Sequence, residues 1–392
     1  MNRSPEMSLW SIAASAFVPP TLFSIGQGAI APVVVITAGQ LGASPATAAM
    51  VVGLAGIGQV VADIPAGVLA TRFGDRAAML GAAILTSLAL ALCMWGPNLA
   101  VFAAAMFATG MGTAVWLLAR QAYVTQVVPF HMRARAMSTM GGVYRIGLFI
   151  GPFLGSLVVH LTSLAGAYAV FLVCCVLAVA VLFSAKDLRE DVPLPTASST
   201  FALARAQAPV LRTLGVGVIL VSAVRGARQV VLPLWGEHLG LTPAAIAVIF
   251  GISGAADMLL FYPAGKMMDR FGRSAAAIPS MTVVAISLAL LPLTHSAFTL
   301  AAVGIVMGLG NGIGSGLIMT LGADFAPPGN QARFLGVWRL LGDFGNGVGP
   351  LALAGLTAAA SLGFAITAFG GVGLAAAAVM GYWIPKKTPA HQ

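Results

Sequence analysis

The sequence predicts an all-α integral membrane fold, twelve transmembrane helices arranged as two pseudo-symmetric six-helix bundles, and three observations carry that expectation. Charged residues make up 8% of the chain and apolar residues 59%, where a soluble domain carries roughly a quarter charged residues. The apolar residues gather into long runs, and 392 residues leave room for about twelve spans of about 20 residues with their loops. The chain also repeats itself. PAGVLATRFGDR from Pro65 returns as PAGKMMDRFGRS from Pro263, 198 positions later, and a repeat of that period sets the whole fold.

The apolar runs follow one another in order. The first, from Leu9 to Gly39, is too long for a signal-peptide core and lacks a convincing cleavage site. Five more follow at Thr47 to Ala70, Ala77 to Trp95, Leu99 to Val124, Met137 to His160 and Gly166 to Ser184. From Lys186 to Arg212 the pattern breaks, with Lys186, Asp187, Arg189, Glu190 and Asp191, two prolines and a Ser/Thr cluster, which reads as a polar linker. The second set runs from Thr213 to Trp235, Pro243 to Met268, Ala275 to Leu293, Ala297 to Leu321, Phe334 to Ala360 and Leu362 to Ile384. The expected domains are therefore residues 1–185 and 213–392, joined by a linker over 186–212.

The offset of 198 holds from the second span to the fifth. It relates Pro45 to Pro243, Gly53 to Gly251, Gly110 to Gly308, Pro129 to Pro327, Arg135 to Arg333, Gly147 to Gly345, Gly151 to Gly349 and Pro152 to Pro350. Six spans per repeat give both halves the same orientation, the parallel-repeat arrangement of secondary transporters. Fifteen of the twenty Lys and Arg lie on one side: the N-terminus, alternate connections, the linker and the Lys386, Lys387 tail. Cytoplasmic loops carry such an excess, so both termini are expected in the cytoplasm of a plasma-membrane protein.

Several function classes fall away. The net charge of +9 is distributed as loop charge, which removes nucleic acid as a partner. Cys93, Cys174 and Cys175 sit inside apolar runs, and the five His are far apart in sequence, so neither a disulfide framework nor a metal site is indicated. The glycine-rich GLGNGIGSG from Gly308 to Gly316 lies within an apolar span with no preceding strand, so it reads as close helix packing rather than a phosphate loop. No catalytic cluster can be assembled, no ATP-binding domain is visible and no cofactor is expected. The protein reads as a transporter rather than an enzyme, and as a monomer in the lipid bilayer.

Five Arg lie inside spans, Arg120, Arg145, Arg225, Arg228 and Arg339, with Asp63, Asp257 and Asp343. Such groups are costly in a bilayer and point to function. At a rise of about 1.5 Å per residue, Asp63 lies about 14 Å in from Arg72 and Asp257 about 19 Å in from Arg270. Arg145 and Asp343 lie about 15 Å in from Arg135 and Arg333, so all share a depth band near the midplane. Arg225 and Arg228 lie on one face of the seventh span, and Gln27 takes the position equivalent to Arg225 in the first half. A pairing of Arg225 or Arg228 with Glu237 is the structural alternative.

Gly265, Asp269, Arg270, Gly272 and Arg273 fit G-x-x-x-D-R-x-G-R in full. The first copy keeps Gly67, Arg72, Gly74 and Arg76 but has Thr71 for the acid and Asp75 for the last base. The fifth span reads G-x-x-x-G-P-x-x-G through Gly147, Gly151, Pro152 and Gly155, and Gly345, Gly349 and Pro350 repeat it in the eleventh. In these residues the chain resembles the major facilitator superfamily, closest in motifs to its twelve-helix drug/proton antiporters. Ser156 and Met106 depart from the antiporter pattern, where a second Gly and an Arg are usual.

The resemblance implies that the loop residues form an inner gate with an acid at the end of a following helix. That acid is Asp324 in the second half, and the equivalent in the first is Gln126. It implies that spans one, four, seven and ten line a central substrate cavity, here with Gln27, Arg120, Arg225, Arg228 and Asn311, whose three guanidinium groups favour an anionic or amphipathic substrate. It also implies that Asp63 can meet Arg339 and Asp257 can meet Arg145 as proton-coupling pairs, with Asp343 in the same band. Proton-coupled export of a small organic or drug-like compound is expected, and proton-coupled import of a small organic anion is the alternative.

Overall fold

The computed structural model describes residues 9–96, 98–127, 133–184, 203, 205–327 and 331–387. Most of the expected linker lies outside them. In lipid every backbone polar group must be satisfied within the chain, which makes helix the economical answer for apolar runs. The first-half helices are α1 (Leu9–Ile30), α2 (Val33–Gln40), α3 (Pro45–Phe73), α4 (Asp75–Trp95), α5 (Leu99–Val127), α6 (Arg133–Leu161) and α7 (Ala165–Ser184). Then come α8 (Ala208–Leu211), α9 (Leu214–His238), α10 (Pro243–Leu259), α11 (Phe261–Phe271), α12 (Ser274–Leu290), α13 (Ala297–Ile313), α14 (Leu317–Phe325), α15 (Gln331–Ala359) and α16 (Leu362–Lys387).

Among the described residues nine helical stretches are long and apolar enough to cross a membrane, and two bent pairs, α1 with α2 and α10 with α11, raise the number to eleven. The 29-residue α15 supplies the twelfth helix of spanning length, its polarity set by Arg333, Arg339 and Asp343.

Three spans expected to be continuous are interrupted. The first breaks between Ile30 and Val33 and bends by 44°, because Pro32 has no amide hydrogen and its ring crowds the preceding turn. The eighth changes direction at Leu260, between α10 and α11. The tenth stops at Ile313 and resumes at Leu317, across Gly316 with φ +80°. By contrast α6 and α15 run as single helices through Pro152 and Pro350.

The repeat is visible in the turns. Gly42 and Gly240 have φ +85° and +70°, and Gly74 and Gly272 have +88° and +84°. Each pair is separated by the same offset and uses a backbone region that side chains disfavour. At α10 the Thr242 side chain accepts the Ala245 amide and Pro243 fills the first helical position, an N-terminus the sequence marks locally.

By contacts the chain forms two compact units. One takes the chain up to Val33 and from Gly58 through α7; the other takes Val34–Ile57 and the described residues from 203 onward. In the first, α6 lies against α1: a side chain at Gly151 would meet the Ile25 carbonyl and the Gly28 Cα, and one at Gly155 the Ala29 carbonyl at 2.8 Å. In the second, α15 lies against α9: a side chain at Gly345 would meet the Ile219 carbonyl at 2.5 Å and one at Gly349 the Ala223 backbone. The glycines of the repeated motif therefore serve one purpose in both units, letting two backbones approach where a lipid-like interior offers no hydrophobic driving force.

Candidate functional site: two polar clusters and two basic turns

In the first unit the polar residues form a largely neutral cluster. Gln27 on α1 donates through Nε2 to Thr113 Oγ1 on α5 at 3.1 Å, and Tyr144 on α6 donates to Gln27 Oε1 at 2.7 Å. Arg120, only 8% exposed as a residue, places its guanidinium carbon 5.0 Å from the Tyr144 ring centroid, a geometry in which the ring face offsets part of the desolvation of the cation. Below it, Phe23 stacks on Trp116 with centroids 4.5 Å apart.

The second unit holds a charged cluster. Arg228 on α9 and Asp257 on α10 form an ion pair at 3.5 Å, with side-chain exposures of 14% and 24%. Arg228 also donates to Ser253 Oγ at 3.0 Å. Asn311 on α13 donates through Nδ2 to Asp257 Oδ2 at 2.6 Å. Arg225, one turn before Arg228, donates to the Gly314 carbonyl at 2.7 Å. On α15, Arg339 and Asp343 pair at 3.2 Å along one helix face.

Asp257 is held by Arg228 and Asn311 within its own unit, where α9 and α10 bring a guanidinium to it. Arg225 and Arg228 do not turn to Glu237, whose carboxylate instead packs on Gly39 and lines a cavity of about 180 Å³ with Pro45, Leu234 and His238. Arg339 finds Asp343 four residues along. Asp63 and Arg145 are half-buried on α3 and α6.

The basic turns also differ. In the second, Arg273 forks onto Asp324, Nε to Oδ2 at 2.9 Å and Nη2 to Oδ1 at 3.3 Å. It also bonds the Met268 carbonyl at 2.9 Å and meets Asp269 at 3.5 Å. The hydrogen bonds that Arg273 donates to Asp324 raise its pKa above the ordinary value. Asp269 is 81% exposed, which makes Asp324 the stronger partner. In the first turn Arg76 donates to the Phe183 carbonyl at 2.9 Å at the end of α7, a helix terminus whose free carbonyls favour a cation. Asp75 is buried where Arg273 stands in the repeat. Arg72 and Arg270 each lie over the next aromatic ring, Phe73 at 5.5 Å and Phe271 at 5.2 Å. The side chains of Thr71 and Gln126, like Gly67, lie outside those described.

The sequence reading missed Thr113, Tyr144 and Ser253. The offset of 198 could have found Thr113, since it places that residue opposite Asn311; Tyr144 and Ser253 carry no such signal. Among the described residues no group of His, Cys, Asp and Glu could hold a metal, and the three cysteines are free and buried.

Two repeated bundles of membrane-crossing helices, each with a polar cluster among apolar spans, define a polytopic membrane transporter. A model of the Major Facilitator Superfamily matches the chain twice, over residues 21–214 and 214–392, and the chain belongs to that family. It is 24% identical over 338 residues to the uncharacterized MFS-type transporter YhjO of Bacillus subtilis (strain 168), covering 85% of this chain and 80% of the relative. It is 26% identical over 260 residues to Multidrug resistance protein 2 of the same organism, covering 63% of this chain and 64% of the relative. A D-xylose-proton symporter of known structure has the same fold, with a TM-score of 0.76 at 18% identity over 98% of this chain and 100% of that one. The protein is a secondary transporter, not an enzyme, and a multi-pass protein of the plasma membrane.

Proposed function

We propose that the protein exports a small organic or drug-like compound in exchange for protons, by alternating access. The observation that carries this reading is the Arg228–Asp257–Asn311 cluster: a carboxylate inside a span, satisfied by one guanidinium and one amide. A charge left alone there is costly. When a conformational change or an incoming substrate draws Arg228 away, Asp257 is better accommodated as the neutral acid. Substrate and proton then compete for one site, and competition of that kind is exchange. The similarity to a multidrug resistance protein supports export, and the likeness to a proton symporter is compatible with proton coupling.

In this reading Asp63, Arg145, Arg339 and Asp343 tune the same band of charge, and Gln27, Arg120, Arg225, Arg228 and Asn311 line the substrate path. Arg273, Asp324 and Asp269 close the cytoplasmic side in one state and part in the other, helped by Gly265, Arg270 and Gly272, with Gly67, Arg72, Gly74 and Arg76 as the first-half counterpart. Both termini face the cytoplasm. A second reading, import of an organic anion with protons, is favoured by the three guanidinium groups Arg120, Arg225 and Arg228.

The test is purified protein in liposomes containing a pH-sensitive dye, challenged with lipophilic cations, neutral drugs and organic carboxylates. The proposal expects outward movement of an anionic or amphipathic compound to bring protons in. Carboxylate uptake accompanied by protons establishes the second reading, and transport of any compound with no proton movement contradicts both.

A further inference from the structure

We propose that Arg225 is the positioning residue of a hinge in the tenth span, and that α14, beyond the hinge, mechanically ties the Asp257 cluster to the Arg273–Asp324 pair. The proposal rests on the alternating-access reading but requires neither the substrate nor the coupling ion.

The tenth span is two helices held by different neighbours. Before the break, α13 is fixed to α10: Asn311 bonds Asp257, and side chains at Gly308 and Gly312 would run into the Ser253 and Asp257 carbonyls. After the break, the nine residues of α14 are fixed to α15, where Trp338 Nε1 donates to the Ile318 carbonyl at 2.8 Å. Asp324 then ends α14 on Arg273. Between them the Gly314 carbonyl accepts the Leu317 amide at 3.2 Å and Arg225 Nη2 at 2.7 Å, and Gly316 takes a left-handed turn that other residues disfavour. A Cβ at Gly314 would run into the Ser280 hydroxyl and stand 2.7 Å from the same Nη2. The glycine therefore makes the guanidinium's approach possible, and the guanidinium satisfies a carbonyl the break exposes.

The repeat supplies the control. At the positions of Gly314, Ser315 and Gly316 the first half has Trp116, Leu117 and Leu118, and α5 continues through them unbroken for 29 residues. At the position of Arg225 stands Gln27, which bonds the Thr113 side chain rather than a backbone carbonyl. Break and latch occur together in one half and are absent together from the other. Two helical segments packed on different partners and joined by glycines form the element that hinged motions use.

Hydrogen–deuterium exchange on the full-length protein in lipid nanodiscs tests this without a substrate. Arg225→Gln should speed exchange of amides 315–325 about tenfold, the factor carried by loss of one charge-assisted hydrogen bond, leave amides 112–127 of α5 unchanged, and be reversed by Arg225→Lys. Coupling is reciprocal, so Asp324→Asn should speed exchange at 314–317, and the double variant should fall short of the product of the two. If Arg225→Gln does not fold, Gly314→Ala in a Ser280→Ala background, which removes the hydroxyl nearest the new Cβ, displaces the guanidinium while keeping its charge and should give the same tenfold rise over Ser280→Ala alone. Unchanged exchange in α14, an equal rise in α5, or independent effects in the double variant overturns the proposal. Failure here leaves proton-coupled transport standing, because that is read separately from proton movement in liposomes.

Discussion

The two units solve one packing problem identically and one electrostatic problem differently. In both, a glycine-rich helix of the G-x-x-x-G-P kind lies backbone to backbone on the first helix of its repeat: Gly151 against Ile25 and Gly28, Gly349 against Ala223. In both, glycines with positive φ end equivalent helices. The polar interior has diverged. The first unit presents an amide, two hydroxyls and a shielded Arg120; the second presents Arg228, Asp257 and Asn311 in direct contact. The scaffold is shared, and the printed ion pair between neighbouring spans, Arg228 with Asp257, lies in the second unit.

The largest expected effect follows from breaking that charge from one side. Asp257→Asn leaves the Arg228 guanidinium buried without its counter-ion, a change that costs about 3–5 kcal/mol in soluble interiors. It should lower the melting temperature in detergent and abolish concentrative transport. Arg228→Met with Asp257→Leu, which removes both charges, should recover much of the stability and none of the transport; if single and double variants are equally unstable, the pair is not what holds α9 to α10.

Next comes the basic turn. Asp324→Asn removes a forked, charge-assisted contact worth about 1.5–3 kcal/mol and should slow transport about tenfold. Arg76→Gln loses a single bond to the Phe183 carbonyl and should slow it no more than about threefold. Equal losses erase the difference between the two turns.

A smaller effect sharpens the shared part of the comparison. Gly151→Leu and Gly349→Leu each force a side chain into a neighbouring backbone, and overpacking of this kind costs about 1–3 kcal/mol. Thermal unfolding should show the two equally damaging, since both units use the same contact. The smallest expected effect is Tyr144→Phe, which loses one neutral hydrogen bond to Gln27 worth about 1 kcal/mol. It should alter the affinity for a transported compound by less than about fivefold and leave proton movement intact.

Span count and repeat were legible because they are written in composition and in Gly and Pro at a fixed offset, which act locally on the backbone. The contact of Arg273 with Asp324 was legible through the family resemblance, which pairs the loop motif with an acid at the end of a following helix. The partner of Asp257 was not. Arg228 and Asp257 are 29 positions apart on neighbouring helices, and their meeting depends on the rotation of α9 and α10, which no spacing encodes when the helices are apolar all round. The break in the tenth span was hidden for a related reason. GLGNGIGSG serves two purposes at once: Gly308, Gly310 and Gly312 admit close neighbours, while Gly314 and Gly316 end one helix and start the next. In sequence the two uses of glycine look alike.

The most direct test of the central claim is the number of protons moved per molecule of a transported compound, measured with a pH dye in liposomes for the wild type and Asp257→Asn. The account predicts that the wild type couples the two and that Asp257→Asn carries the compound only down its own gradient, with no accompanying protons. The same proton movement per molecule in both would contradict it.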